Sequence, residues 1–209
     1  RSPWGLCPRE EHPADQDARS PLAGDPLNSQ GGDSLNSSGG DPHNPLIITV
    51  KDQRIAIVNF TYGTNVGTSD YVMRQTRDTV RKLLAAARER GADFIVVCPH
   101  WGIEYDLRHS ASQESWAQFL ADEGADLIVG AHPHVVQDTA IVRSADGRLV
   151  PVYYSIGNAV SNMSAPNTQD ELMVTARISQ GKLTGLSHDR LRCTRPGQLT
   201  DSFATVIVK

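Results

Sequence analysis

The sequence predicts an α/β fold with parallel strands at its centre, and three observations lead there. Gly91-Ala92-Asp93-Phe94-Ile95-Val96 and Gly124-Ala125-Asp126-Leu127-Ile128-Val129 are two copies of one helix-stop-and-strand unit, offset by 33 residues. That offset accommodates a strand, a crossover helix and a parallel neighbour. Phe94 to Cys98 and Leu127 to Val129 are apolar throughout instead of alternating, the pattern of strands covered on both faces. The segments leading into each unit carry apolar residues at helical spacing, which supplies the crossovers. Two copies fall short of a solenoid, which needs at least about three.

Arg1 to Pro45 contains Pro3, Pro8, Pro13, Pro21, Pro26, Pro42 and Pro45 among Gly-Gly and Asn-Ser clusters. Burial of so little apolar surface cannot offset the entropy of ordering, and residues 1–45 are expected to be disordered or an irregular linker. The chain starts at Arg1 and reads as a fragment whose folded part is 46–209. Leu46 to Val50 and Ile55 to Phe60 are β-rich runs around Lys51-Asp52-Gln53-Arg54, a hairpin that leads into the polar loop Thr61 to Asn65. Val72, Thr76, Val80, Leu83, Leu84 and Ala87 predict an amphipathic helix over Tyr71 to Arg90, stopped by Gly91. A second helix, capped by Ser110 or Ser112, holds Trp116, Phe119 and Leu120 and stops at Gly124. Thr139 to Arg143 and Val150 to Tyr154 then flank a turn at Ala145 to Arg148, and further strands are expected at Leu172 to Ile178, Leu183 to Leu186 and Ala204 to Val208. Only two clear helices are available to cover the repeated strands. An apolar face around Phe94, Val96, Leu127 and Val129 is therefore expected to be exposed or buried against another polypeptide.

Composition narrows the function. A net charge of -4 without a Lys/Arg cluster argues against a nucleic-acid groove, which needs a concentrated basic face. No apolar run approaches the roughly 20 residues that span a bilayer, and the chain shows no signal-peptide pattern. Cys7, Cys98 and Cys193 share no short metal-binding spacing and are odd in number, so they say little about compartment.

In an open α/β sheet, ligands bind beyond the carboxyl ends of the strands. Both repeated strands end there on histidine: His100 follows one, His132 and His134 the other. Imidazole is a common ligand of borderline divalent metals, and Pro133 stiffens the His-Pro-His loop. A single histidine in a loop is usually just hydrogen-bonded, but three at equivalent strand ends favour a metal or phosphate role. His12, His43, His109 and His188 lie in linker or polar surface contexts and are read as structural or solvent-exposed. Trp101 adds an aromatic wall beside His100, and Glu104 is placed to orient a ligand imidazole from outside the metal shell. Ser155-Ile156-Gly157-Asn158 ends the next strand, where the glycine permits close backbone approach and the amide can donate to an oxyanion or phosphate.

His100-Trp101-Gly102-Ile103-Glu104-Tyr105, Gly130-Ala131-His132-Pro133-His134-Val135-Val136-Gln137 and Tyr154-Ser155-Ile156-Gly157-Asn158, in that order, resemble the bacterial capsule-synthesis family of CapA type. Phe60 to Asn65 and Pro196 to Asp201 are also similar to that family, so the resemblance runs over 46–209. It implies a calcineurin-like metallophosphoesterase fold, with mixed sheets flanked by helices, of which this chain would hold the C-terminal portion. It also implies a role in poly-gamma-glutamate capsule formation at the cell envelope. By the same resemblance, His100, His132 and His134 are metal ligands and His100, His132 and Asn158 are catalytic. Asn65, Trp101, Glu104, Tyr105 and Ser155 are expected to contact substrate. The implied cofactor is a divalent ion such as Mn, Zn or Fe, two in the intact protein, and the implied ligand is phosphorylated or polyanionic.

The chain departs from the family in one respect. The earlier blocks, an Asp after the first strand, Asn-Leu-Glu and Asn-Asn-His, are not recognisable, and Gly24-Asp25, Gly32-Asp33 and Gly40-Asp41 lack a preceding strand. The bridging carboxylates are thus missing, and the chain alone is expected to be inactive without its N-terminal partner half or another chain. The alternative is a non-catalytic envelope module that binds a capsule polymer or assembly partner on the same edge.

Overall fold

The computed structural model describes residues 44–65, 72–194 and 204–208. The linker expected over 1–45 lies outside the described residues except for Asn44 and Pro45. The first elements are the strands β1 (Leu46–Val50) and β2 (Gln53–Thr61), which form the expected hairpin. Its two-residue turn puts both Lys51 and Asp52 at positive φ, 47° and 64°, the twist that suits tight hairpins.

Helix α1 (Arg77–Glu89) starts later than its apolar spacing predicts. The Thr61 amide donates to the Met73 carbonyl and the Gln75 amide donates back to Thr61, so residues 73–75 spend their backbone groups extending the sheet. Thr76 then caps the helix by accepting from the Thr79 amide, and Gly91 ends it at φ 74°. Strand β3 (Phe94–His100) follows, and His100 is its last residue, not the first of the loop. Ser110, not Ser112, caps α2 (Ala111–Asp122), in a reciprocal capping box with Gln113. After Gly124 come β4 (Leu127–Val129), β5 (Thr139–Arg143) and β6 (Leu149–Tyr153).

These strands form one sheet in the order β1-β2-β3-β4-β6-β5, parallel from β2 through β6 and antiparallel at both edges. Strands β3 and β4 are parallel neighbours, as the repeated unit predicts. One face packs against the helices: Val58, Val97, Ile128 and Val152 meet Val80, Leu84, Ala117 and Leu120 in a single core. The other face does not lie open, contrary to expectation. Strands β7 (Asp170–Ser179), β8 (Lys182–Thr194) and β9 (Ala204–Val208) form a second, antiparallel sheet. Leu172 and Leu186 from it close over Phe94, Leu127 and Tyr153, with Val96 and Val129 partly buried at the margin. The chain supplies its own cover with a sheet instead of a helix. Strand β8 is far longer than Leu183 to Leu186 because its second half, Ser187 to Arg192, is a polar ribbon. Backbone pairing to β7 and β9 holds that half in place, and no apolar pattern marks it. Among the described residues no helix is long and apolar enough to cross a membrane.

Candidate metal centre

The sheet brings the histidines together through backbone register. The Ala131 amide donates to the Pro99 carbonyl and the Trp101 amide donates to Ala131, both at 3.0 Å, so the ends of β3 and β4 are tied together. The His100 and His132 rings consequently lie 4.5 Å apart between centroids, and His132 and His134 lie 5.8 Å apart. Gly130 makes this approach possible, because a Cβ there would stand 2.3 Å from the Tyr154 carbonyl oxygen and 2.4 Å from Trp101 Nε1. His132 and His134 both have positive φ, 109° and 62°. Strained backbone of this kind costs about 1–3 kcal/mol per residue and concentrates at functional sites.

Glu104, His132 and His134 each offer one donor atom, and these atoms lie within 4.8 Å of one another. Hydrogen bonds set which imidazole nitrogen is free. The Thr61 hydroxyl donates to the Gly63 carbonyl at 2.7 Å, so it must accept from His100 Nδ1 at 3.1 Å. The Asn158 amide group donates to the His134 and Thr168 carbonyls, which turns its Oδ1 toward His134 Nδ1 at 3.0 Å as an acceptor. Both rings thus carry their proton on Nδ1 and leave Nε2 as a lone pair. Burial lowers the pKa of His100, and the charge of His134 adds to the effect. His132 is lowered by burial and by His100, with Glu104 opposing. Both imidazoles are therefore neutral near pH 7, the form that binds a cation. The imidazoles of His132 and His134 with the Glu104 carboxylate form a donor set that fits a divalent transition metal.

Several expected roles change. Glu104 stands among the donors themselves, not behind them, so the donor set is not made of imidazoles alone. Trp101 is only 1% exposed and donates from Nε1 to the Tyr154 carbonyl, so it is a core wedge and no wall of the site. Ser155 is fully buried, its hydroxyl accepting from the Gly157 amide, and cannot touch substrate. The side chain of Asn158 is spent on His134 and Thr168, which makes it a positioning residue with no donor left for an oxyanion. Tyr105 is exposed with its ring 6.3 Å from that of His134, whereas Asn65 is exposed and makes no hydrogen bond to the cluster among the described residues.

His109 is structural as expected, stacked on Tyr154 with Nδ1 2.9 Å from the Asp138 carboxylate. His188 pairs with the Tyr153 hydroxyl at 3.2 Å, while His12 and His43 lie outside the described residues. The exposed Tyr62 was not anticipated, yet its ring is 4.6 Å from His132 and stacks at 6.1 Å on His100. Its place within the family-like block Phe60 to Asn65 is a sequence signal that could have found it.

Fold and site together define a mixed α/β protein that gathers histidines and a carboxylate at the carboxyl edge of its parallel strands. The chain belongs to the bacterial capsule synthesis protein family PGA_cap, whose model matches residues 35–163. It is 37% identical over 100 residues to the capsule biosynthesis protein CapA of Bacillus anthracis, 46% of this chain and 23% of that one. It is 36% identical over 92 residues to the PGA biosynthesis protein CapA of Bacillus subtilis strain 168, 44% of this chain and 23% of that one. The chain thus spans about a quarter of the length of these relatives. A stretch of 72 residues is 36% identical to a 2',3'-cyclic-nucleotide 2'-phosphodiesterase/3'-nucleotidase of Salmonella typhimurium, covering 33% of this chain and 11% of that one. Among solved structures, the sulfate thiohydrolase SoxB of Thermus thermophilus in complex with glycerol aligns at a TM-score of 0.45 and 17% identity, over 71% of this chain and 24% of that one.

Proposed function

We propose that this chain carries the histidine side of a metal-dependent hydrolase site of the phosphoesterase type, within a capsule biosynthesis protein of the cell envelope. The ligand would be phosphorylated or polyanionic, and we read the PGA biosynthesis named for the Bacillus subtilis relative as poly-gamma-glutamate capsule formation. Phosphoester chemistry is supported by the named activity of the Salmonella relative. The observation that carries the reading is the convergence of the Glu104, His132 and His134 donor atoms within 4.8 Å, with His100 packed against His132. Those residues would hold a divalent ion, which when bound supplies Lewis-acid polarisation of a phosphoryl oxygen.

The remaining work falls to the chain itself. Thr61 and Asn158 engage Nδ1 of His100 and His134, which leaves their Nε2 atoms available to a bound ion. The rings of Tyr62 and Tyr105 lie beside the cluster, 4.6 Å from His132 and 6.3 Å from His134, where they can contact a bound ligand. A neutral His100 is able to accept a proton at Nε2 or, once protonated, to stabilise negative charge on a reacting oxygen.

Metal content of the full-length protein after dialysis, with hydrolysis of a bis(aryl) phosphodiester, tests the proposal. Retained Mn, Zn or Fe that is lost in His132→Ala, together with phosphodiester turnover, is the expected result. A metal-free protein that binds capsule polymer would refute it and favour a non-catalytic envelope module.

A further inference from the structure

The donor Glu104 sits on a loop that contributes almost nothing to the core, since residues 103–108 are all exposed. Something other than its own side chains must hold it. Beneath it lie two buried amides, Gln113 on α2 and Gln137 just before β5, 2% and 3% exposed. Gln113 Oε1 accepts from the Ser110 amide at 2.9 Å, and its Nε2 donates to Gln137 Oε1 at 2.8 Å. This leaves Gln137 Nε2 pointing at the loop, where it donates to the Asp106 carbonyl at 2.9 Å and the Arg108 carbonyl at 3.0 Å. Every bond in the relay requires the same orientation of both amides, so the pair cannot flip without leaving buried groups unsatisfied. The loop is moulded on it: Gly102 has φ 98°, and a Cβ there would meet the Gln113 amide at 2.9 Å. On its far side the loop is tied to the histidines by the Tyr105 amide, which donates to the Pro133 carbonyl at 2.8 Å.

We propose that Gln137 is a positioning residue for the metal centre, holding the Gly102 to Arg108 loop through two carbonyls so that the Glu104 carboxylate stays within reach of His132 and His134. This inference rests on the metal-site reading above and adds to it the device that delivers the carboxylate. Gln113 acts one bond further back, by orienting Gln137.

The test is a double-mutant cycle read by calorimetric titration of Zn²⁺ into the full-length protein, with wild type, Glu104→Gln, Gln137→Met and the double variant. Partners outside the metal shell typically change metal affinity by about 10–100-fold, and a loss in that range is expected for Gln137→Met. In the Glu104→Gln background the same substitution should cost nothing further, because the carboxylate it positions is gone. A merely structural role would weaken binding equally in both backgrounds, and that result overturns the proposal, as does full affinity in Gln137→Met. Gln113→Met, which breaks the relay at its other end, should repeat the Glu104-dependent loss if Gln137→Met folds poorly. Equal loss in both backgrounds there also overturns the proposal. A wild type that binds no Zn²⁺ defeats the metal-site reading itself, whereas a tightly binding wild type with no Glu104-dependent loss defeats only the positioning role.

Discussion

Replacing Asn158 with alanine removes four hydrogen bonds at once: the acceptor at 3.0 Å from His134 Nδ1, the donors to the His134 carbonyl at 3.2 Å and the Thr168 carbonyl at 3.0 Å, and a weak donor to Met163 Sδ at 3.7 Å. At about 0.5–1.5 kcal/mol net per bond, and with water able to reach a half-buried side chain, the loss of stability should be about 1–3 kcal/mol. The loss of metal affinity has a separate origin. Without Oδ1 the His134 ring is free to rotate and to move its proton to Nε2, which removes the lone pair, so binding should weaken by about 10–100-fold. That factor corresponds to about 1.4–2.7 kcal/mol. Asn158→Asp separates the two effects. Its carboxylate still accepts from Nδ1 but cannot donate to either carbonyl, so affinity should hold while stability falls. Urea denaturation and calorimetric titration with Zn²⁺ measure the two quantities on the same samples. Wild-type affinity in Asn158→Ala, or equal affinity losses in both variants, would refute the argument that Oδ1 sets the ring.

Three further outcomes follow from the same geometry. Gly130→Ala should cost about 1–3 kcal/mol in denaturant titration, because its Cβ would collide with the Tyr154 carbonyl at 2.3 Å; native stability would contradict the close packing beneath His132. Leu172→Ala should cost about 2–5 kcal/mol, since Leu172 is a buried contact of the second sheet with Phe94, Leu127 and Tyr153. A negligible change would mean that the second sheet does not cover that face. Burial is the largest cause lowering the pKa of His100, His132 and His188, so the unfolded chain takes up protons first on acidification. The stability linked to these groups is therefore complete above their unfolded value of about 6.5 and is lost as pH falls through it toward the folded values. Chemical denaturation of metal-free protein should show stability falling as the pH is lowered below about 6.5, and a rise on that acidification would reverse the assigned sign.

Local rules made much of this protein legible from its sequence. The β1–β2 hairpin, the stops at Gly91 and Gly124, the Ser110 cap and the parallel pairing of β3 with β4 each depend on periodicity or on one residue's backbone preference. The convergence of His100, His132 and His134 was legible for a related reason: equivalent strand ends in a parallel sheet must lie at one edge. The direction of individual side chains was not. Trp101 and Ser155 adjoin site residues in the chain yet point into the core, because strand alternation sends neighbours to opposite faces.

What the sequence by itself determined is therefore the set of elements and the edge at which chemistry gathers, since both arise from interactions between residues close along the chain. Tertiary structure alone decided the rest. The second sheet covers the parallel strands through contacts such as Leu172 and Leu186 on Phe94, separated by dozens of residues and marked by no local pattern. Glu104 comes near His132 and His134 on a loop whose backbone bonds to Pro133 and to the Gln137 side chain, and Tyr62 reaches His132 because β2 pairs with β3 in register up to Thr61 and His100. Hydrogen bonds and packing between distant segments set where a loop side chain ends, and that information resides in the folded chain, not in the spacing of its residues.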